Sequence, residues 1–111
     1  MRWFAVNCIF KIISGEGAHS PQFNEQTRLV VAPDFSTALA KAKKRSSEYN
    51  KPFNNCEGQK VRWEFIGVGA IVEIAEPADG VEVNSQILEP ASVTLYLEQL
   101  AHRNKLLTQQ N

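Results

Sequence analysis

Arginine and glutamate side chains on predicted strands are the residues of this chain best suited to chemistry. Arg62 and Glu64 are two positions apart, so both lie on one face of a strand, and Arg28 lies on another predicted strand. A carboxylate held by a guanidinium can act as a general acid or base, or the group can bind a small polar ligand. The alternative, which we favour, is ion pairing across a solvated sheet face.

Other catalytic and metal-binding patterns are absent from the sequence. His19 and His102 are far apart and belong to no clustered ligand motif. Cys8 and Cys56 have neither CxxC nor zinc-ligand spacing, and Cys8 alternates with apolar residues as a buried thiol would. We therefore expect no catalytic residue, no metal site and no cofactor.

The charges are balanced overall but unevenly distributed. Twelve Lys and Arg residues face twelve Asp and Glu residues, yet residues 41–62 carry a net +5 and residues 63–98 a net −7. The basic run 41–45 lies on a predicted helix and could contact phosphates. Because the total charge is zero, we favour a solvated helix face over a nucleic-acid surface, with the charges matched within the fold or across a dimer.

Two strands are predicted near the start of the chain. Alternating apolar residues indicate a strand over 3–13 and a second, antiparallel one over 23–32. In the second strand we expect Leu29 and Val31 to face the core and Arg28 to face away. The buried face of the first strand consists of Phe4, Val6, Cys8, Phe10 and Ile12.

A helix and a long bent strand follow. Asp34 is a suitable N-cap for a helix that runs to about Tyr49. Residues 59–76 have the strongest strand pattern, and the apolar phase flips across Ile66 and Gly67, which indicates a β-bulge. The first helix and this strand therefore pack in the same α+β domain.

The C-terminal part is predicted to add a strand and a helix. Residues 81–88 alternate as a fourth strand would, and Pro90 suits the first turn of a second helix. The order ββαββα predicts a two-layer α+β fold, a four-stranded, mainly antiparallel sheet with both helices on one face. We expect a single domain over 1–107 and a frayed polar tail over 108–111.

Several segments of the chain carry a family resemblance: Trp3–Asn7, Glu25–Val30, the helix residues Ala38, Lys41 and Ala42, above all Val61–Val68, and also Glu82–Val83 and Glu89–Pro90. Together they resemble the domain-of-unknown-function family numbered 4288, a family of small bacterial proteins. The resemblance extends from residue 2 to about residue 100 and implies a standalone bacterial, cytosolic domain without a known activity or catalytic residues.

The sheet face opposite the helices suggests the function. A two-layer domain leaves that face open, and a tryptophan with several isoleucines is more apolar surface than a monomer usually exposes. We expect a non-enzymatic interaction module, a homo-oligomer that associates through the open face or a sheet edge. The residues expected to bind there are Trp3, Asn7, Arg28, Arg62 and Glu64.

Two other functions stay open. The chain could bind a small molecule, or be an unrecognised enzyme, through the arginine and glutamate cluster; it could also be an inhibitor of the immunity or antitoxin type. No apolar run approaches about 18 residues, so we expect no membrane-spanning helix and a cytoplasmic protein.

Overall fold

The computed structural model describes residues 1–49 and 52–109, which form an α+β fold in the predicted order ββαββα. Four antiparallel strands make one sheet, in the order β2-β1-β4-β3. The elements are β1 (Arg2–Ser14), β2 (Gln22–Ala32), α1 (Phe35–Ser47), β3 (Phe53–Asn54), β4 (Lys60–Ile74) and α2 (Val93–Thr108).

The fourth strand is not the predicted one. β3 supplies it, between α1 and β4, and pairs with the first residues of β4. The turn between them is held by Asn55, whose side-chain carbonyl accepts hydrogen bonds from the backbone N–H groups of Glu57 and Gln59. Residues 81–88 form no strand, because alternation favours an extended backbone but does not provide a hydrogen-bonding neighbour.

The core lies between α1 and the face of β1 that the sequence predicted. Phe4, Val6, Cys8 and Phe10 are almost fully buried, and α1 packs against β1, β2 and β4. The helix begins as expected, because the Asp34 carboxylate accepts a hydrogen bond of 2.8 Å from the Thr37 backbone N–H. The small helix residues buried against the sheet are Ala38, Ala42 and Ser46.

The orientation predicted for β2 is wrong. Its register with β1 places Arg28 opposite Val6 and Val30 opposite Phe4, so both face α1. Val30 is buried, whereas Leu29 is 45% exposed on the opposite face. The reason is that residues 29–32 are apolar in both phases of the alternation, so only pairing with β1 decides which phase is buried.

β4 contains the predicted bulge and a second one. Its register with β1 shifts at Ile66 and again at Gly69. A Cβ atom on Gly69 would lie 2.6 Å from Asn7 Oδ1 and 2.8 Å from Ile9 Cδ1, so any larger residue here requires the ends of these two side chains to shift. A Cβ atom on Gly67 would meet nothing within 4 Å.

The second helix is present, but it does not cover the sheet as predicted. α2 begins at Ser92, whose hydroxyl accepts a hydrogen bond from the Leu95 backbone N–H. Within the described residues it contacts no other helix or strand, and none of its side chains is buried. Its last residue, Thr108, belongs to the tail expected to fray; residues 110 and 111 lie outside the described residues. Neither of the helices described here is long and apolar enough to cross a membrane.

Candidate functional site

The sheet face opposite α1 has an apolar end. Two neighbouring rows of cross-strand partners contain only apolar residues, one row centred on Trp3 and the other on Ala5. Side chains in such rows lie about 5 Å apart, so they form one continuous surface. We call this surface the apolar block; it consists of Val31, Trp3 and Ile74 in the first row and Leu29, Ala5 and Val72 in the second.

The apolar block is partly accessible, and Ala5 at its centre is buried. Leu29 is 45% exposed and Val72 is 49% exposed, and Trp3 is half-buried between its two neighbours. No described helix or strand covers this face, since α1 packs on the other one. Exposed contiguous apolar surface of this kind is typical of a protein-binding site.

Asn7 lies beside the apolar block, in the next row along β1. Its partners are Thr27 and Ala70, and its side-chain oxygen lies over Gly69 at the second bulge. The side chain is half-buried and polar, so it borders the apolar surface. Trp3 and Asn7 are therefore the two predicted binding residues that the structure brings together.

Arg62 and Glu64 are on the same face but at its other end. They lie opposite Ile13 and Lys11, and both are exposed. Lys11 lies eight positions after Trp3 along β1, which is about 27 Å in an antiparallel strand. The two side chains are thus remote from the apolar block.

The predicted cluster of arginine and glutamate is not assembled. Arg28 lies on the α1 face, away from Arg62 and Glu64, because β2 has the opposite orientation to the one expected. Among the described residues, Arg62 and Glu64 form no ion pair with each other or with a third residue. Nothing in this arrangement holds a carboxylate in the way an acid–base site requires.

Among residues 1–49 and 52–109, one ion pair is present, and it joins Arg2 to Glu73 on the α1 face. Arg2 Nε donates a hydrogen bond of 3.0 Å to Glu73 Oε2, and its guanidinium lies 5.3 Å from the centre of the Phe4 ring. The hydrogen bond from Arg2, with its positive charge, holds the pKa of Glu73 below its ordinary value of 4.5. Hydrogen bonds from Thr37 likewise lower the pKa of Asp34.

The described part of the chain contains no group of three or more His, Cys, Asp or Glu side chains placed to hold a metal ion. Cys8 and Cys56 are both free; Cys8 is buried, as predicted, and Cys56 is exposed. The side chains of the apolar block can associate with another apolar surface.

A comparison with protein families gives one result. The sequence profile of a family described as "Domain of unknown function (DUF4288)" matches residues 3–85. The chain belongs to this family. The matched residues include all four strands and α1 and end before α2, whereas the resemblance was expected to reach about residue 100. No curated protein and no solved structure matches the chain significantly.

Sequence reasoning missed a second feature, a cavity between β2 and the end of α1. Arg28, Arg45, Ser46 and Tyr49 are among the residues that line it. Two arginines on neighbouring elements were a signal in the sequence, but Arg28 was expected on the other face. Arg45 and Tyr49 are four residues apart, so the helix predicted to run to about Tyr49 could have placed them together.

Proposed function

We propose that this protein is a non-enzymatic self-association module in which the apolar block of one copy binds α2 of a second copy. The observation that carries this proposal is the coexistence of two uncovered apolar surfaces on one chain. Each is too apolar to favour water, and neither covers the other in the described fold. A second copy presents the missing half of each contact.

The accessible surface of the chain supports association. It measures 8633 Å². A compact monomer of 12.4 kDa would expose roughly 6,100 Å², about 2,500 Å² less. The radius of gyration, 18.0 Å, also exceeds the roughly 13 Å of a compact chain of this length. If each copy in a dimer buried about half of this excess accessible surface, the two copies together would bury about 2,500 Å². That area is within the range of obligate homodimers.

One face of α2 carries an exposed apolar stripe that is suited to docking. Leu97 is 54% exposed and Leu100 is 41% exposed, and with Val93 and Leu107 they follow the spacing of one helix face. Leu95 is 53% exposed but lies about 200° around the helix from Leu97. An apolar stripe of four residues on one face can pack against a sheet without burying any charge.

The chain also leads from the apolar block towards α2. Residues 81–85 line a shallow cavity together with Val72 and Ile74 of the block. An arm that starts at the edge of the block and carries an unpartnered helix is suited to exchange between two identical copies. In a dimer with two-fold symmetry, α2 of each copy packs on the apolar block of the other copy, so all of these apolar surfaces are covered.

We also place this homodimer in the bacterial cytoplasm. The supporting observation is the pair of free thiols, Cys8 and Cys56, which suit a reducing compartment. The immunity or antitoxin-type alternative stays a prediction. That function requires the apolar block to be free to bind a different protein. A wild type that is monomeric in solution would therefore favour it over our proposal.

Light scattering on purified variants tests the proposal. We expect the wild type to be a dimer, and both Leu97→Glu and Trp3→Glu to be monomers, because each places a charge within the apolar contact. Leu95→Glu is the matched control: the same substitution, on the same helix, at the same exposure, outside the stripe.

Two results would contradict the proposal. The first is a wild type that stays monomeric at high micromolar concentration, with a radius of gyration near the compact value showing that α2 packs on its own sheet. The second is a Leu95→Glu variant that dissociates as readily as Leu97→Glu. Circular dichroism of each variant verifies that the fold is retained.

A further inference from the structure

The cavity between β2 and α1 has an apolar floor. Its volume is about 340 Å³, at the lower end of the range for small-molecule sites. Cys8, Phe10, Val30 and Ala42 line it, and all four side chains belong to the buried core. The floor therefore suits an aliphatic or aromatic group of modest size.

The rim of the same cavity is cationic. Arg28 comes from β2 and Arg45 from the last turn of α1. Arg28 Nε donates a hydrogen bond of 2.9 Å to Gln26, a neutral partner, and its guanidinium lies 5.5 Å from the centre of the Tyr49 ring. Within the described residues, no carboxylate lies within 4.0 Å of either guanidinium.

This arrangement favours an anion at the rim. Arg45 lies in the last turn of α1, where its positive charge is partly balanced by the partial negative charge of the last carbonyl groups. Within the described part of the chain, the positive charge of Arg28 has no such partner. The planar guanidinium presents paired N–H donors that match the two oxygens of a carboxylate. Ser46, which is buried beside the rim, adds a hydroxyl group to the lining.

We propose that this cavity binds a small organic carboxylate with an aromatic or aliphatic body. The body packs on the Tyr49 ring, which is 43% exposed, and the carboxylate contacts Arg28 and Arg45. Beneath the body lie Phe10, Val30 and Ala42, which are at most 3% exposed and close the floor of the cavity. This site is on the α1 face and shares one lining residue, Leu29, with the apolar block. It does not depend on the self-association proposed above.

Calorimetric titration with 3-phenylpropanoate tests this site, with amide chemical shifts of the labelled protein to locate the binding. We expect saturable binding with a Kd below about 1 mM. The shift changes should be centred on Phe10, Val30 and Ala42. Arg28→Gln and Arg45→Gln should each weaken binding about tenfold, since each removes a charge-assisted hydrogen bond.

The matched control is Arg62→Gln, an exposed arginine on the opposite sheet face, which should leave the Kd within about twofold. The uncharged analogue 3-phenylpropanol should bind at least about tenfold more weakly, and inorganic phosphate should not compete. Equal binding of the alcohol, effective competition by phosphate, equal loss in Arg62→Gln, or no saturable shift at the cavity would each overturn the proposal.

Discussion

The two faces of the sheet differ in what covers them. On the face that contains Phe4, Val6 and Phe10, α1 excludes water and every central apolar side chain of β1 is buried. On the other face, Trp3 and Leu29 form equally apolar rows, but no described helix or strand lies over them. The alternating strand pattern therefore creates apolar faces, but the position of the helices determines which face is covered.

The largest expected effect is the difference in unfolding free energy that is lost when a phenylalanine is truncated on each face. Phe10 is fully buried and contacts Tyr49, Trp63 and Phe65, so Phe10→Ala should lower the free energy of unfolding by about 3–5 kcal/mol. Phe23, 56% exposed on the open face, is the matched control, and Phe23→Ala should cost less than about 1 kcal/mol. Urea unfolding at fixed protein concentration measures both. Similar losses would show that the open face is covered as well as the core.

A smaller difference is expected at the two glycines of β4. Gly69→Ala forces a methyl group against Asn7 and Ile9 and should lower the free energy of unfolding by about 1–3 kcal/mol. Gly67→Ala meets open space, so it should be neutral within about 0.5 kcal/mol. Thermal and urea unfolding of the two variants check this. Equal losses of stability in the two variants would contradict the close contacts described at Gly69.

The smallest effect concerns the ion pair on the covered face. The pKa of Glu73 is lowered by Arg2, so the stabilisation is complete above the ordinary value of 4.5 and disappears as the pH falls through the lower folded pKa. Glu73→Gln should therefore lower Tm slightly at pH 7 and leave it unchanged at about pH 2, where both proteins lack the charge. Glu64→Gln, which breaks no ion pair among the described residues, should change Tm less at pH 7. A Glu73→Gln difference that persists at low pH would contradict this origin.

The elements with one clear period could be predicted from the sequence. β1 alternates without a polar exception on its buried face, and α1 combines an N-cap at Asp34 with small residues at helical spacing. β2 could not be oriented, since residues 29–32 are apolar in both phases. Residues 81–88 have a strand pattern but no partner, because the pattern contains no information about the neighbouring chain.

The candidate site was predictable to the same extent. Trp3 and Asn7 were correctly placed on the open face because β1 fixes their phase. Arg28 was placed on the wrong face through the orientation of β2, and this also concealed its approach to Arg45 across the cavity. The separation of Arg62 and Glu64 from Trp3 depends on distance along the sheet, which alternation does not report.

In the proposed dimer, α2 of one copy contacts the apolar block of the other. The most direct test is a nuclear Overhauser experiment on dimers mixed from two pools, one carrying ¹³C-labelled leucine methyl groups and the other unlabelled, with isotope filtering to select contacts between chains. We predict intermolecular signals between the methyl groups of Leu97 and Leu100 and the indole ring of Trp3. Signals that arise only within one chain, or none to Trp3 at all, would contradict the account.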